Sequence, residues 1–248
     1  LISGALAAWI LKSFETPYSY GYLFIISSFI MGFGYLSFAL VDEPIKEEVS
    51  KKESSFKEFL RNSYALLKSD KHLQVQVATF LFAYGYLIAL PFIILDAKEK
   101  IDLDGIAIGS LITTQMIGAM LSNFLWGHLS QKGLNGLIAK AAIFTQITAI
   151  FMAYGASSLY EYMIIFFLVG ASIDGNRIAS SNLILKIAPP DKRPVYIALQ
   201  MNIVSLGMFF SIIGGVILNY LNYAVLYGSS ISVLILALYL SFKIKSKI

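Results

Sequence analysis

The sequence predicts an all-α, polytopic membrane protein: a six-helix bundle preceded by one and a half further transmembrane helices. Three observations predict it. The first is composition. Of the 248 residues, 57% are hydrophobic and 14% charged, with a mean hydropathy of +0.72. A water-soluble domain is about 45–50% apolar and about 25% charged, so this chain has too few charges to coat a surface that faces water. A cytosolic enzyme domain and a disordered chain are excluded on that ground. A disulfide-stapled secreted module is excluded because there is no cysteine. The second observation is a series of apolar runs near the length that crosses a bilayer, about 20 residues. The third is an uneven distribution of Lys and Arg between alternate connections.

Taken in order, the runs begin with a stump, Leu1–Leu11. Seven full segments follow: Tyr20–Val41, Leu73–Leu95, Gly105–Leu129, Leu134–Tyr154, Tyr160–Ile187, Val195–Tyr220 and Tyr223–Phe242. They are too long for strands and lack period-two alternation. The one long polar connection is Asp42–His72. Its first part, Asp42–Glu53, is rich in charge. Its second part opens with the capping box Ser55-Phe56-Lys57-Glu58. Beyond the box, Phe56, Phe59, Leu60, Tyr64, Leu66 and Leu67 share one helical face, and Lys57, Arg61 and Lys68 the other. That pattern predicts a helix lying on the membrane surface. Asp96–Asp104 reads as the longest loop on the opposite side. Pro189-Pro190-Asp191-Lys192-Arg193-Pro194 is a hard stop between two spans, because proline ends one helix and starts the next.

Counting basic residues on alternate connections gives 15 on the side of Asp42–His72 and the C-terminus, and 3 on the other, with Arg177 left inside a span. Basic loops stay in the cytoplasm. The connection 42–72 and the C-terminus are therefore expected to be cytoplasmic. Tyr18, Tyr20, Tyr22, Tyr160, Tyr162, Tyr220 and Tyr223 are expected to form an aromatic belt at the opposite interface.

Two local motifs go further. The cytoplasmic turn after Gly105–Leu129 reads Gly127-His128-Leu129-Ser130-Gln131-Lys132-Gly133. Later, Pro190-Asp191-Lys192-Arg193 and Tyr196 are followed by Gly214-Gly215, Tyr223 and Tyr227. With one long polar connection ahead of six closely joined spans, these resemble the second half of a major facilitator superfamily transporter. The first motif is similar to that family's loop Gly-x-Leu-x-Asp-Arg-x-Gly. Gly127 and Leu129 match and Lys132 keeps the base, whereas Gln131 stands in place of the acid and Gly133 comes one position early.

The resemblance implies three parts. Residues 1–41 end an N-terminal bundle as helices 5 and 6, 42–72 form a cytoplasmic linker, and 73–248 form the C-terminal bundle, helices 7 to 12. The chain then reads as a fragment whose missing partners are helices 1–4 of the same protein, and alone it is expected to carry no substrate flux. The implied function is secondary active transport of a small solute by alternating access, as proton-coupled efflux (antiport) or as a sugar- or drug-type permease. The alternative is a transport-inactive scaffold or receptor-like protein of the same fold, which the changed acid at Gln131 would accompany. A membrane enzyme is disfavoured. The expected partners are the lipid bilayer, a small-molecule substrate and protons, with no nucleic acid. No cofactor or metal is expected, since His72 and His128 sit at the ends of spans. The implied location is the plasma membrane.

Charges inside a span cost free energy unless they are paired or face a cavity. Asp174 and Arg177 are three residues apart within Tyr160–Ile187, hence on one helical face. Two readings stand side by side: a substrate- or proton-binding pair, or a structural pair in which Arg177 reaches to the interface. Asn176, with Ser172 and Ser180, forms a second polar strip. On the segment 73–95, Gln76, Phe80, Tyr84, Leu87 and Pro91 recur at helical spacing, and Tyr84 near mid-depth could stack on a ring. Gln115, Ser122 and Trp126 share a stripe on the next segment, and Gln115 is the mid-depth amide singled out there. The candidates for substrate or proton coupling are thus Asp174, Arg177, Tyr84, Gln115 and Asn176. The loop candidates are Gly127, Leu129, Lys132 and Gly133.

Overall fold

The computed structural model describes residues 2–41 and 56–244, and these are helical with short connections. Helix α1 is Ile2–Ser13 and α2 is Tyr18–Ala39. The amphipathic α3 is Phe56–Ser69. Next come α4 (Lys71–Ala83) and α5 (Leu90–Lys100), joined by the 3₁₀ turn Tyr84–Ile88. Then follow α6 (Gly105–Gln131), α7 (Asn135–Ala153) and α8 (Leu159–Ile187). Helices α9 (Arg193–Ser205) and α10 (Phe210–Tyr220) are joined by the 3₁₀ turn Leu206–Phe209, and α11 is Tyr223–Ser241. With α4–α5 and α9–α10 each taken as one span, seven helices among the described residues are long and apolar enough to cross a membrane. Ser55, and with it the expected capping box, lies outside the described residues, as do Asp42–Glu53, Lys245 and Lys247.

Local chemistry sets the boundaries. Asp70 caps α4 by accepting the backbone N–H groups of His72 and Leu73 at 2.8 and 3.1 Å. Asp104 caps α6 through the Ala107 N–H, and Asn222 caps α11 through the Val225 N–H. Ser158 and Glu161 make a reciprocal capping box at the start of α8. Gln74 Nε2 donates to the carbonyls of Leu67 and Lys68 and so closes the end of α3. At the end of α6, Gly133 adopts φ +75°. The Leu134 N–H then reaches the Leu129 carbonyl and the Gly133 N–H that of Ser130, the Schellman arrangement. The glycine that comes early against the family loop is thus where this helix needs a left-handed residue.

One expectation is corrected here. Asp96–Asp104 is not a nine-residue loop, because α5 continues to Lys100 and only Ile101–Asp104 connect it to α6. A helical Asp96–Lys100 pair four residues apart supports that extra turn.

Helix α8 is the centre of the bundle. It runs along α6 on one side and α7 on the other, and α11 packs on both α7 and α4. Helix α4 touches α8 and α9, which closes the ring. The core toward the α5 end holds Ile93, Leu111, Ile150, Ile165, Leu226 and Leu234, and toward the other end Phe80, Trp126, Ile138 and Leu183. Helix α1 lies on α6 through small residues, Gly4 and Ala8 against Thr113 and Gly109. Helix α2 packs chiefly on α1 and leaves apolar side chains such as Phe24, Phe33 and Phe38 exposed, as a helix facing hydrocarbon does.

Two backbones approach closely between α6 and α8. A Cβ at Gly118 would collide with the Phe167 carbonyl, and one at Gly170 with the Gln115 carbonyl. In a membrane, helices associate through such close packing because lipid supplies no hydrophobic drive between them. Gly118→Ala or Gly170→Ala is expected to destabilise the protein by about 1–3 kcal/mol, as overpacking does, read as a lower thermal unfolding temperature in detergent. Gly127→Ala, where the added carbon meets nothing within 4 Å, is the control expected to leave it unchanged.

Candidate membrane transport site

A cavity of about 570 Å³ opens inside the bundle. Its wall comes from six elements. Phe80 of α4, with Tyr84 and Tyr86 of the first 3₁₀ turn, supplies aromatic rings. Helix α7 supplies Gln146, and α8 supplies Asn176, Arg177, Ser180 and Ser181. Helix α9 adds Gln200, Met201 and Ser205, and the second 3₁₀ turn adds Met208. The two tight turns meet beside the cavity, where Gly207 lets the second come against the Tyr84 ring.

The expected residues divide. Tyr84, Asn176 and Arg177 line the cavity, and Asp174 and Gln115 are not among its lining residues. Asp174 accepts from Asn123 Nδ2 of α6 at 2.8 Å and is paired with Arg177 Nη2 at 2.9 Å. The Arg177 side chain is 72% exposed and that of Asp174 14%. The carboxylate is therefore set back in the α6–α8 contact while its cation reaches the cavity wall. Gln115 contributes its backbone carbonyl to the close crossing at Gly170. Among the loop candidates, Leu129 packs toward the Trp126 cluster and Lys132 is exposed. The loop is fastened to α8 by Asn182 Nδ2 on Ser130 Oγ at 2.9 Å and by Lys186 Nζ on the Gly133 carbonyl at 3.1 Å. His72 and His128 are exposed and away from the cavity.

Some polar groups near the cavity are already satisfied. Gln76 Nε2 donates to Gln200 Oε1 at 2.7 Å, and Gln200 Nε2 donates to Ser180 Oγ at 2.8 Å. This chain ties α4, α9 and α8 together. Trp126 Nε1 donates to the Ala171 carbonyl at 2.9 Å. Others are unpaired: both amide atoms of Gln146 and both of Asn176 lack a partner among the described residues. Gln146 and Tyr86 also line the cavity. Gln146 carries a signal in the sequence, as the one amide in the middle of its span. Tyr86 carries none, because it lies off the stripe of an uninterrupted α-helix and the 3₁₀ winding turns it toward that stripe.

Nothing in the sequence pattern marks Asp96, which lies at the start of the expected outer loop. It is 2% exposed at the end of α5. Its Oδ2 accepts from Tyr227 Oη at 2.9 Å, Tyr162 Oη at 3.1 Å and Lys100 Nζ at 2.9 Å. This clasp joins α5, α8 and α11. It also corrects the aromatic belt: Tyr162 is fully buried as a donor to Asp96, whereas Tyr18, Tyr20, Tyr22, Tyr160 and Tyr220 are exposed.

A multi-pass helical bundle with a partly polar cavity inside the membrane-spanning region has the architecture of a membrane transport protein. The chain belongs to the Major Facilitator Superfamily, a family of membrane transporters, whose model matches residues 75–247. No curated protein matches the chain.

A buried carboxylate that loses one donor keeps its desolvation cost, and hydrogen bonds to charged groups contribute about 1.5–3 kcal/mol. Tyr227→Phe is expected to destabilise the protein by about that amount, as is Tyr162→Phe, with a non-additive double variant because both act on one oxygen. Thermal unfolding of the three variants checks it.

Proposed function

We propose that the protein is a secondary active transporter that moves a small solute by alternating access and couples it to protons, as an exporter or as a sugar- or drug-type permease. The observation that supports this reading best is Arg177 standing in the cavity wall while its counter-ion Asp174 is held behind it by Asn123. A charge pair inside a span is a site where adding one proton changes the local energetics sharply. A proton taken up on an Asp174 oxygen cancels the ion pair and frees the Arg177 guanidinium to reorient at the cavity wall. Release of that proton restores the pair. Solute binding and proton binding are then coupled through one side chain.

In this reading, residues 73–248 are the C-terminal bundle, 42–72 the linker, and α1 and α2 belong to an N-terminal bundle. Its four further helices would pack on the uncovered apolar surface of α2 and complete the solute pathway. The reading takes the membrane to be the plasma membrane and, on the strength of the basic-residue asymmetry, puts the 42–72 connection and the C-terminus in the cytoplasm.

The test is flux in proteoliposomes of the intact protein under an imposed proton gradient, run on a panel of small labelled solutes. Gradient-driven accumulation of at least one solute is expected. Asp174→Asn and Arg177→Gln are each expected to reduce that accumulation by about fivefold or more while leaving solute exchange without a gradient. Full accumulation by Asp174→Asn would remove that residue from coupling. Absence of flux for every solute would remove the transport reading.

A further inference from the structure

We infer that the cavity takes an uncharged solute carrying hydroxyl or amide groups along one edge of an otherwise apolar, ring-bearing body. The inference deepens the transport reading above and rests on it for the role of the cavity.

It starts from two amides. Gln146 is 1% exposed, lines the cavity, and neither its Nε2 nor its Oε1 has a partner among the described residues. Asn176 of the neighbouring α8 also lines the cavity with Nδ2 and Oδ1 both unpaired. Buried polar atoms are hydrogen-bonded in the great majority of cases, so four such atoms at one cavity call for an explanation. The contrast with Gln200 on the same wall is direct, since its amide is already engaged by Gln76 and Ser180.

A primary amide offers a donor and an acceptor side by side. An ammonium group only donates, so it would satisfy each carbonyl oxygen and leave each NH₂ without a partner. A carboxylate only accepts and would do the reverse. A hydroxyl or an amide both donates and accepts, and is the class of group that pairs both atoms of Gln146 and Asn176. The charge balance agrees. Among the described residues the cavity wall carries no carboxylate, and its one cation, Arg177, is matched by Asp174. On this wall a cationic solute meets no counter-charge, and an anionic one has to compete with Asp174. The same cavity is lined by the aromatic side chains of Phe80, Tyr84 and Tyr86, the usual complement of a solute's apolar side.

The test compares four phenyl compounds that differ in one substituent: phenyl β-glucoside, benzamide, benzoate and phenyltrimethylammonium. Equilibrium binding of each is measured on the intact protein in lipid nanodiscs. The glucoside or benzamide is expected to bind about tenfold or more tighter than either charged compound, and which of the two leads separates hydroxyl from amide recognition. Gln146→Leu and Asn176→Leu are each expected to weaken the favoured compound about tenfold, with thermal stability unchanged or raised, since each removes unpaired buried atoms. Tighter binding of benzoate or phenyltrimethylammonium overturns the inference, and so does binding of none of the four. Reduced stability with unchanged binding also overturns it, because the amides would then be structural. Flux of charged solutes alone in proteoliposomes would leave the transport reading standing and sink this one.

Discussion

Hydrocarbon offers no hydrogen bonds. Inside the bilayer each polar group must find its partner within the protein, and the rest of this structure depends on that constraint. Threonine hydroxyls on the spans turn back onto their own helix, as Thr79 does on the Val75 carbonyl and Thr114 on that of Ser110, both at 2.7 Å. Asp96, a carboxylate buried near one end of the bundle, collects three donors on a single oxygen. Even where α4 and α9 lose α-helical winding, the chain passes into 3₁₀ turns that keep backbone bonds three residues apart. The unpaired amides of Gln146 and Asn176 stand beside the chain Gln76–Gln200–Ser180, in which both amide atoms of Gln200 are engaged and Gln76 Oε1 is left without a partner among the described residues.

Helix α8 is where these devices converge. At its start Tyr162 serves the Asp96 clasp. At its middle Gly170 admits the backbone of α6, Asp174 receives Asn123, and Asn176, Arg177 and Ser180 face the cavity. At its end Asn182 and Lys186 hold the α6–α7 turn. One element carries packing, charge and cavity wall on different arcs of its surface. Asp174 is set back because its arc of α8 faces α6, where Asn123 holds the carboxylate.

Much of the fold was legible in the sequence because the signals are long. Apolar runs and proline stops locate the spans to within a few residues. Asp174, Arg177 and Asn176 could be singled out because polar residues are rare in such runs. What escaped depends on contacts between distant segments or on local winding. Nothing near Asp96 in sequence reveals Tyr162 and Tyr227, which lie 66 and 131 residues away. The amide pair Gln76–Gln200 spans 124 residues. The stripe Gln76–Phe80–Tyr84–Leu87–Pro91 assumes one uninterrupted helix. Gln76 and Phe80 are buried, but Pro91, past the 3₁₀ turn, is exposed.

That interruption has a rotational meaning. A 3₁₀ turn advances about 120° per residue against about 100° in an α-helix, so five residues of it turn the following helix by roughly 100° and lengthen it by roughly 2.5 Å. Helix α4 can therefore present Phe80 to the cavity while α5, on the same span, presents Asp96 to α8 and α11. The span α9–α10 carries its own tight turn alongside. Pro91 has no N–H, so the winding ahead of it cannot revert to one continuous α-helix without leaving the Leu87 carbonyl unpaired in hydrocarbon. The tight turn Tyr84–Ile88 thus sets the phase of α5 relative to α4 and holds the two ends of the α4–α5 span on different faces.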